Sequence, residues 1–153
     1  MIENGTNPYF VKELETGYVV IGDKQFFHGY SLFLCKQHTS ELFCLDDDFC
    51  AKFQREMVIV AKAVKNAFGA DKMNCELLGN GDAHLHWHLY PRRKGDLEAE
   101  GIDYSINGSG PVWWMPWDIM NSDKYAIGGS ELENMKSALA QAIDESLKKH
   151  GMV

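Results

Sequence analysis

The chain has 153 residues, the size of one domain, and a fold of that length hides roughly 70% of the surface its unfolded chain exposes. Apolar residues at 45% and charged residues at 24% exclude disordered, collagen-like and low-complexity classes. The balance of 15 Lys+Arg against 22 Asp+Glu, a net −7, excludes a protein that grips duplex nucleic acid by neutralising phosphates, so any anionic ligand has to be held by local groups.

In chain order, Asn7-Pro8-Tyr9-Phe10-Val11-Lys12-Glu13-Leu14 places a capping residue before a proline and predicts a short helical turn or two. The segment ahead of it has neither a basic n-region nor an apolar h-region, and no run approaches the ~20 apolar residues of a membrane span. Cytoplasmic residence without membrane contact is the resulting expectation. Tyr18-Val19-Val20-Ile21, ended by Gly22-Asp23, predicts a strand, and Gly29 to Cys35 a second one joined to it by a hairpin-like connection and buried on both faces. Phe49, Phe53, Met57, Val60, Val64 and Phe68 recur at spacings of three and four, which predicts a long amphipathic helix. Three aspartates cap its start and Gly69 its end.

Met73 to Leu78 and His84 to Tyr90 then predict two adjacent strands joined by a tight glycine-rich turn over Gly79-Asn80-Gly81-Asp82. Residues 95 to 129 are irregular and hold the aromatic run Val112-Trp113-Trp114-Met115-Pro116-Trp117. Ser130 and Glu133 have the spacing of a capping box, and Leu132, Met135, Leu139, Ile143 and Leu147 that of a C-terminal helix. Cys35, Cys44, Cys50 and Cys75 lack metal or scaffold spacing and are expected to be reduced and mostly buried. The expected fold is α+β: one domain over 1–153, with a small antiparallel sheet covered by one long helix and helical extensions at both ends.

Three of the six histidines fall in His84-Leu85-His86-Trp87-His88-Leu89-Tyr90. On a strand, period two sends His84, His86, His88 and Tyr90 to one face and Leu85, Trp87 and Leu89 to the other, into the core. Three uses of such a row compete. The imidazoles could be simply hydrogen-bonded on a solvated face. They could ligate a metal with help from Asp82, Glu76 or His38. Or one could act as a nucleophile that its neighbours orient, a role imidazole suits near neutral pH because its ordinary pKa is about 6.5. Phosphorus is a fitting target, since neighbouring imidazoles, backbone N–H groups and Asn80 can stabilise phosphoryl oxygens.

His84-Leu85-His86-Trp87-His88-Leu89-Tyr90-Pro91-Arg92 resembles the signature of the histidine triad (HIT) family, and the order of elements over about 7–94 agrees, leaving a C-terminal loop and helix over 95–153. The resemblance is nearest to bacterial members labelled diadenosine polyphosphate hydrolases, which also carry a segment like Pro111-Val112-Trp113. It implies that His86 attacks the α-phosphorus of a nucleotide and is transiently nucleotidylated before water releases a nucleoside monophosphate. It further implies that His84 orients His86 with His38 in support, that His88 meets the phosphate or the leaving group, and that Asn74 and Asn80 bind phosphate. No cofactor or catalytic metal is implied; a homodimer is. A binding module without turnover is the other alternative to a metal enzyme.

Many relatives carry an acidic residue that holds the ribose, and Asp23 and Gln25 are its possible equivalents here. Asp82-Ala83 stands where close relatives have an apolar residue and proline. The zinc-binding cysteine pair of some relatives is absent, so no structural zinc is implied. Walls for a nucleobase cleft could come from Phe10, Tyr18, Val20, Phe26 and Phe33. The tryptophan run could serve as a lid, a stacking platform or a dimer contact, and Arg92-Arg93-Lys94 reads as a solvated basic run near the phosphates.

Overall fold

The computed structural model describes residues 5–98, 101 and 115–152. Five strands, β1 (Phe10–Glu13), β2 (Gly17–Ile21), β3 (Ser31–Cys35), β4 (Lys72–Glu76) and β5 (His86–Arg92), form one antiparallel sheet in the order β1-β2-β3-β5-β4. Helix α1 (Asp47–Phe68) separates β3 from β4, the four-residue α2 (Trp117–Met120) precedes a 3-10 turn at Asp123–Tyr125, and α3 (Gly129–Lys149) closes the described chain. Both long helices pack on one face of the sheet and on each other. Val19, Ile21, Phe33 and Leu89 from the strands meet Phe53, Val60 and Val64 of α1 and Leu139 and Ile143 of α3, all buried, with the Phe33 and Phe53 rings 5.0 Å apart. That burial, worth about 1.5–3 kcal/mol for each large side chain, holds the sheet flat against the helices. The opposite face is left to β5's even-numbered residues.

α1 starts as its sequence predicts: the Asp46 carboxylate accepts from the N–H groups of Asp48 and Phe49, and Asp47 and Asp48 sit at the positive end of the helix. It ends at Gly69 in the left-handed conformation, φ +65°.

Five expectations are corrected. The N-terminal helical extension is a strand: Asn7-Pro8 makes a single turn, closed by the Phe10 N–H on the Asn7 carbonyl at 3.3 Å, after which Phe10–Glu13 pairs with β2. Aromatic and β-branched residues beside an open sheet edge outweigh the capping signal. The β4–β5 connection is nine residues, 77–85, because β4 ends at Glu76 and β5 begins only at His86. β5 also continues through Pro91, since β3 ends opposite Leu89 and the proline has a partner on β4 alone. α3 begins at Gly129, capped by Gly128 without a side-chain bond; Ser130 lies inside the first turn and Glu133 pairs with Lys136 at 3.0 Å. The cysteines are free thiols, but Cys44 and Cys75 are exposed and Cys50 half-buried, leaving Cys35 alone in the core. Val112-Trp113-Trp114 lies outside the described residues.

The basic run also departs from a solvated face. Arg92 is buried, forks onto Asp96 (2.7 and 3.2 Å) and lies over the Phe27 ring, while Arg93 donates to the carbonyls of His28 and Phe68. These bonds staple the segment after β5 to the sheet rather than raising potential at a phosphate.

A buried carboxylate joins α1 to the first hairpin. Glu56, 2% exposed, accepts from the Glu15 N–H (3.1 Å), the Thr16 N–H (2.9 Å) and the Thr16 hydroxyl. Glu56→Ala strands these donors out of water, and a loss of about 2 kcal/mol of stability is expected, read as a lowered denaturation midpoint at unchanged m-value.

Candidate active site

The site is built on β5 and the strand beside it. His88 stands opposite Leu32 and Glu76, and His86 opposite Leu34, so both imidazoles rise from the face away from the helices. Leu85 and Leu89 are buried on the helical side and Trp87 packs against the same core, as the alternation requires. The His86 and His88 rings are 4.6 Å apart, edge to face, with their Nε2 atoms at 2.9 Å.

Protons on these rings can be assigned from their partners. His86 Nδ1 lies 2.5 Å from the His84 carbonyl, which can only accept, so Nδ1 carries the proton and the neutral ring keeps its lone pair on Nε2. That lone pair must then accept from His88 Nε2–H, and His88 Nδ1 accepts from the Tyr30 hydroxyl at 2.7 Å. His84 sits just before β5. Its Nε2–H donates to the Cys35 carbonyl (2.7 Å), and its Nδ1 meets His38 Nδ1 at 3.2 Å. His84 therefore contacts His86 through its carbonyl, and its ring belongs to a pair with His38, stacked at 5.4 Å.

Two cavities flank the imidazole pair. One of about 100 Å³ is lined by His86, Asn80, Gly79 and Ser40, and brings Asn80 beside His86. The other, about 270 Å³ and mainly apolar, is lined by His88, Tyr30, Tyr90, Phe26, Phe27 and residues of the segment around α2. Of the five expected cleft walls only Phe26 lines it; Val20 and Phe33 are buried, and Tyr18 packs under Lys36. Met115, Met120 and the exposed Trp117 supply walls that no strand pattern marks. The segment is fastened by Lys24, whose ammonium pairs with Asp123 at 2.5 Å, and by the Gln25 N–H on the Tyr125 carbonyl at 2.8 Å.

The remaining candidates separate. Gln25 is committed to the β2–β3 turn: its Nε2 donates to the Gly22 and Tyr30 carbonyls (2.7 and 2.9 Å) and its Oε1 accepts from the Gly29 N–H (2.8 Å). Asp23 is exposed, and its backbone carbonyl accepts from the Ile127 N–H at 3.2 Å. Asn74 is on β4 opposite Tyr90, where its Oδ1 accepts from Arg92 at 3.2 Å. Asp82 caps the His84 N–H at 3.0 Å, and this bond, then the nearby histidines, hold its carboxyl below the usual range. Tyr30 was legible only as a strand residue, yet the β3–β5 register carries its hydroxyl to His88.

Burial, and then the neighbouring His86, push His88 down to about 4. The folded value lies below the ordinary 6.5, so the native chain favours the neutral ring. As pH falls through 6.5 the unfolded chain gains a proton that the native chain refuses until about pH 4. Stability is therefore expected to decline across that window and to level off below it. Denaturation midpoints between pH 4 and 7 check this, with His88→Gln flattening the decline.

No curated protein matches the chain. Solved structures do: a histidine triad protein of Bradyrhizobium japonicum (24% identity over 88% of this chain and 89% of that one, TM-score 0.69) and one of Sinorhizobium meliloti (26%, 90% and 88%, 0.65). A hypothetical histidine triad nucleotide-binding protein of Sulfolobus tokodaii shares the fold at 19% identity over 98% and 93% of the two chains, TM-score 0.69. The HIT domain model matches residues 9–95, which span all five strands, α1 and the histidine row. The chain belongs to the HIT domain family.

Proposed function

We propose that the protein cleaves nucleotides at the α-phosphorus through a nucleotidyl intermediate on His86. The observation that carries this is the tautomer lock: the His84 carbonyl holds the proton on Nδ1 and leaves the Nε2 lone pair beside a small cavity that Asn80 also lines. That lone pair forms the N–P bond as the P–O bond to the leaving group breaks, its electron pair departing with the leaving group. The imidazolium that results keeps its Nδ1–H on the His84 carbonyl, which stabilises the charge. Water then attacks phosphorus, the N–P pair returns to His86, and the water proton goes to solvent.

His88, released from His86 when the phosphoryl group arrives, presents its Nε2–H to a phosphoryl oxygen. Because it is held neutral, it supplies a hydrogen bond rather than an acid, and this favours a leaving group that departs as an anion. A dinucleoside polyphosphate provides one; a phosphoramidate amine has to be protonated. The apolar cleft beside His88 suits a nucleobase, with the open Asp23 carboxylate as the ribose contact in preference to the committed Gln25. Cytoplasmic residence, and homodimerisation by family resemblance, belong to this same reading. A metal enzyme is the less favoured alternative: the His84 ring bonds to Cys35 and His38, apart from the other two.

Reaction with diadenosine tetraphosphate in excess chelator, quenched with alkaline denaturant because an N–P bond to histidine is acid-labile, followed by intact-mass measurement, tests the proposal. A protein adduct of one nucleoside monophosphate, mapped to His86, is the expected result. Turnover that needs metal, or nucleotide binding with no adduct and no turnover, overturns it.

A further inference from the structure

Two tyrosine rings stand behind the imidazole pair, parallel to that of His88. Tyr30 of the β2–β3 connection and Tyr90 of β5 stack with centroids 4.5 Å apart and planes within 5°. His88 lies parallel to both, 6.1 Å from Tyr30 and 5.8 Å from Tyr90. Both hydroxyls converge on one atom, His88 Nδ1: Tyr30 at 2.7 Å and Tyr90 at 3.4 Å. Only the shorter contact is a good hydrogen bond; the longer falls outside the usual range for O–H donors.

An imidazole free to choose places its proton on either nitrogen. Here the phenol, a better donor than acceptor toward an imidazole nitrogen, favours a lone pair on Nδ1 and the proton on Nε2, the atom that faces His86. We propose that Tyr30, braced by the ring of Tyr90, is a positioning residue that holds His88 as its Nε2–H tautomer and aims that proton at the reacting phosphoryl group. The proposal rests on the nucleotidyl-transfer reading and adds to it the device that sets His88's proton.

The phenols suit the task because they remain donors. Burial pushes Tyr90 up to about 12 and Tyr30 further still, so neither ionises where the protein works. The bond order then runs one way along four residues: Tyr30 hydroxyl to His88, His88 to His86, His86 to the His84 carbonyl. Reversing His86 would set two acceptors face to face at the carbonyl, so the carbonyl fixes the direction, and the phenol, the better donor of the Tyr30–His88 pair, favours the same state. Glu76, the strand partner of His88, is the carboxylate nearest in register.

Tyr30→Phe removes the hydroxyl and keeps the stacked ring; Tyr90→Phe is the control for the longer contact. Two readouts are needed. Long-range 15N–1H correlations of the imidazoles report the tautomer without any turnover, and steady-state kinetics on diadenosine tetraphosphate report kcat and KM separately. His86→Ala removes the other group that fixes the tautomer, so a single Nε2–H form of His88 is expected in that variant and a mixture when Tyr30→Phe is added to it. In Tyr30→Phe alone kcat falls about tenfold, the equivalent of one hydrogen bond, while KM stays within about twofold. Tyr90→Phe changes kcat by less than about threefold. An unchanged His88 tautomer on adding Tyr30→Phe to His86→Ala, or an unchanged kcat in Tyr30→Phe when the unaltered protein turns over, overturns the proposal. If the unaltered protein turns over nothing, the nucleotidyl-transfer reading fails, and the correlations alone still decide whether Tyr30 sets the tautomer.

Discussion

His86→Ala is expected to lower nucleoside monophosphate release by at least about 10³-fold while the protein stays folded and still binds nucleotide. The size of the loss follows from the neighbours, none of which can take over. His88 carries its proton on the nitrogen that faces the site and has its other nitrogen under the Tyr30 hydroxyl. The His84 ring bonds to the Cys35 carbonyl and to His38. No second lone pair is therefore aimed at the position that His86 Nε2 occupies. The fold is expected to tolerate the change, because His86 makes one hydrogen bond to the backbone and belongs to the face opposite the helices. The cleft beside His88 has no His86 in its walls, so nucleotide affinity should shift little. Release of product at a rate within about tenfold of the unaltered protein would remove His86 from the nucleophile's place. Loss of binding together with turnover would instead mean that the substitution had disturbed the cleft.

That His86 and His88 share a face with Tyr90 was readable from period two alone, since backbone geometry decides it wherever a strand forms. His84 escaped the rule because β5 starts two residues later, and strand ends are set by pairing partners that one segment does not disclose. The long helix was readable to its caps, because Asp46 and Gly69 act through bonds within their own segment. At Asn7-Pro8 the same kind of signal misled, because the edge of β2 offered Phe10–Glu13 a ladder that local propensity cannot anticipate. The Tyr30 contact and the Met115 and Met120 walls are tertiary in the same sense. The Tyr30 contact joins positions 58 residues apart, and neither it nor the methionine walls carries a periodic mark.

Gly22 connects the turn's geometry to the imidazoles and yields the second large effect. Its N–H donates to the Tyr30 carbonyl at 2.9 Å, so the end of β2 runs close along the residue that precedes β3. A Cβ at this position would lie 2.2 Å from Tyr30 Cδ1 and 2.5 Å from Cε1, well inside van der Waals contact. Tyr30 has no free direction in which to retreat: Tyr90 is stacked on it at 4.5 Å, and its hydroxyl is bonded to His88. Gly22→Ala is therefore expected to cost about 3 kcal/mol of stability and to lower kcat by at least about tenfold, with the ring's displacement passed on to His88. A double-mutant cycle separates this from a backbone effect. If the clash with the ring is the cause, Gly22→Ala made in a Tyr30→Ala background should add less than about 1 kcal/mol, because the obstructed atoms are gone. A penalty that persists at full size without the ring would place the strain in the β2–β3 turn itself, where Gln25 already holds the Gly22 carbonyl, and would disconnect Gly22 from the histidines.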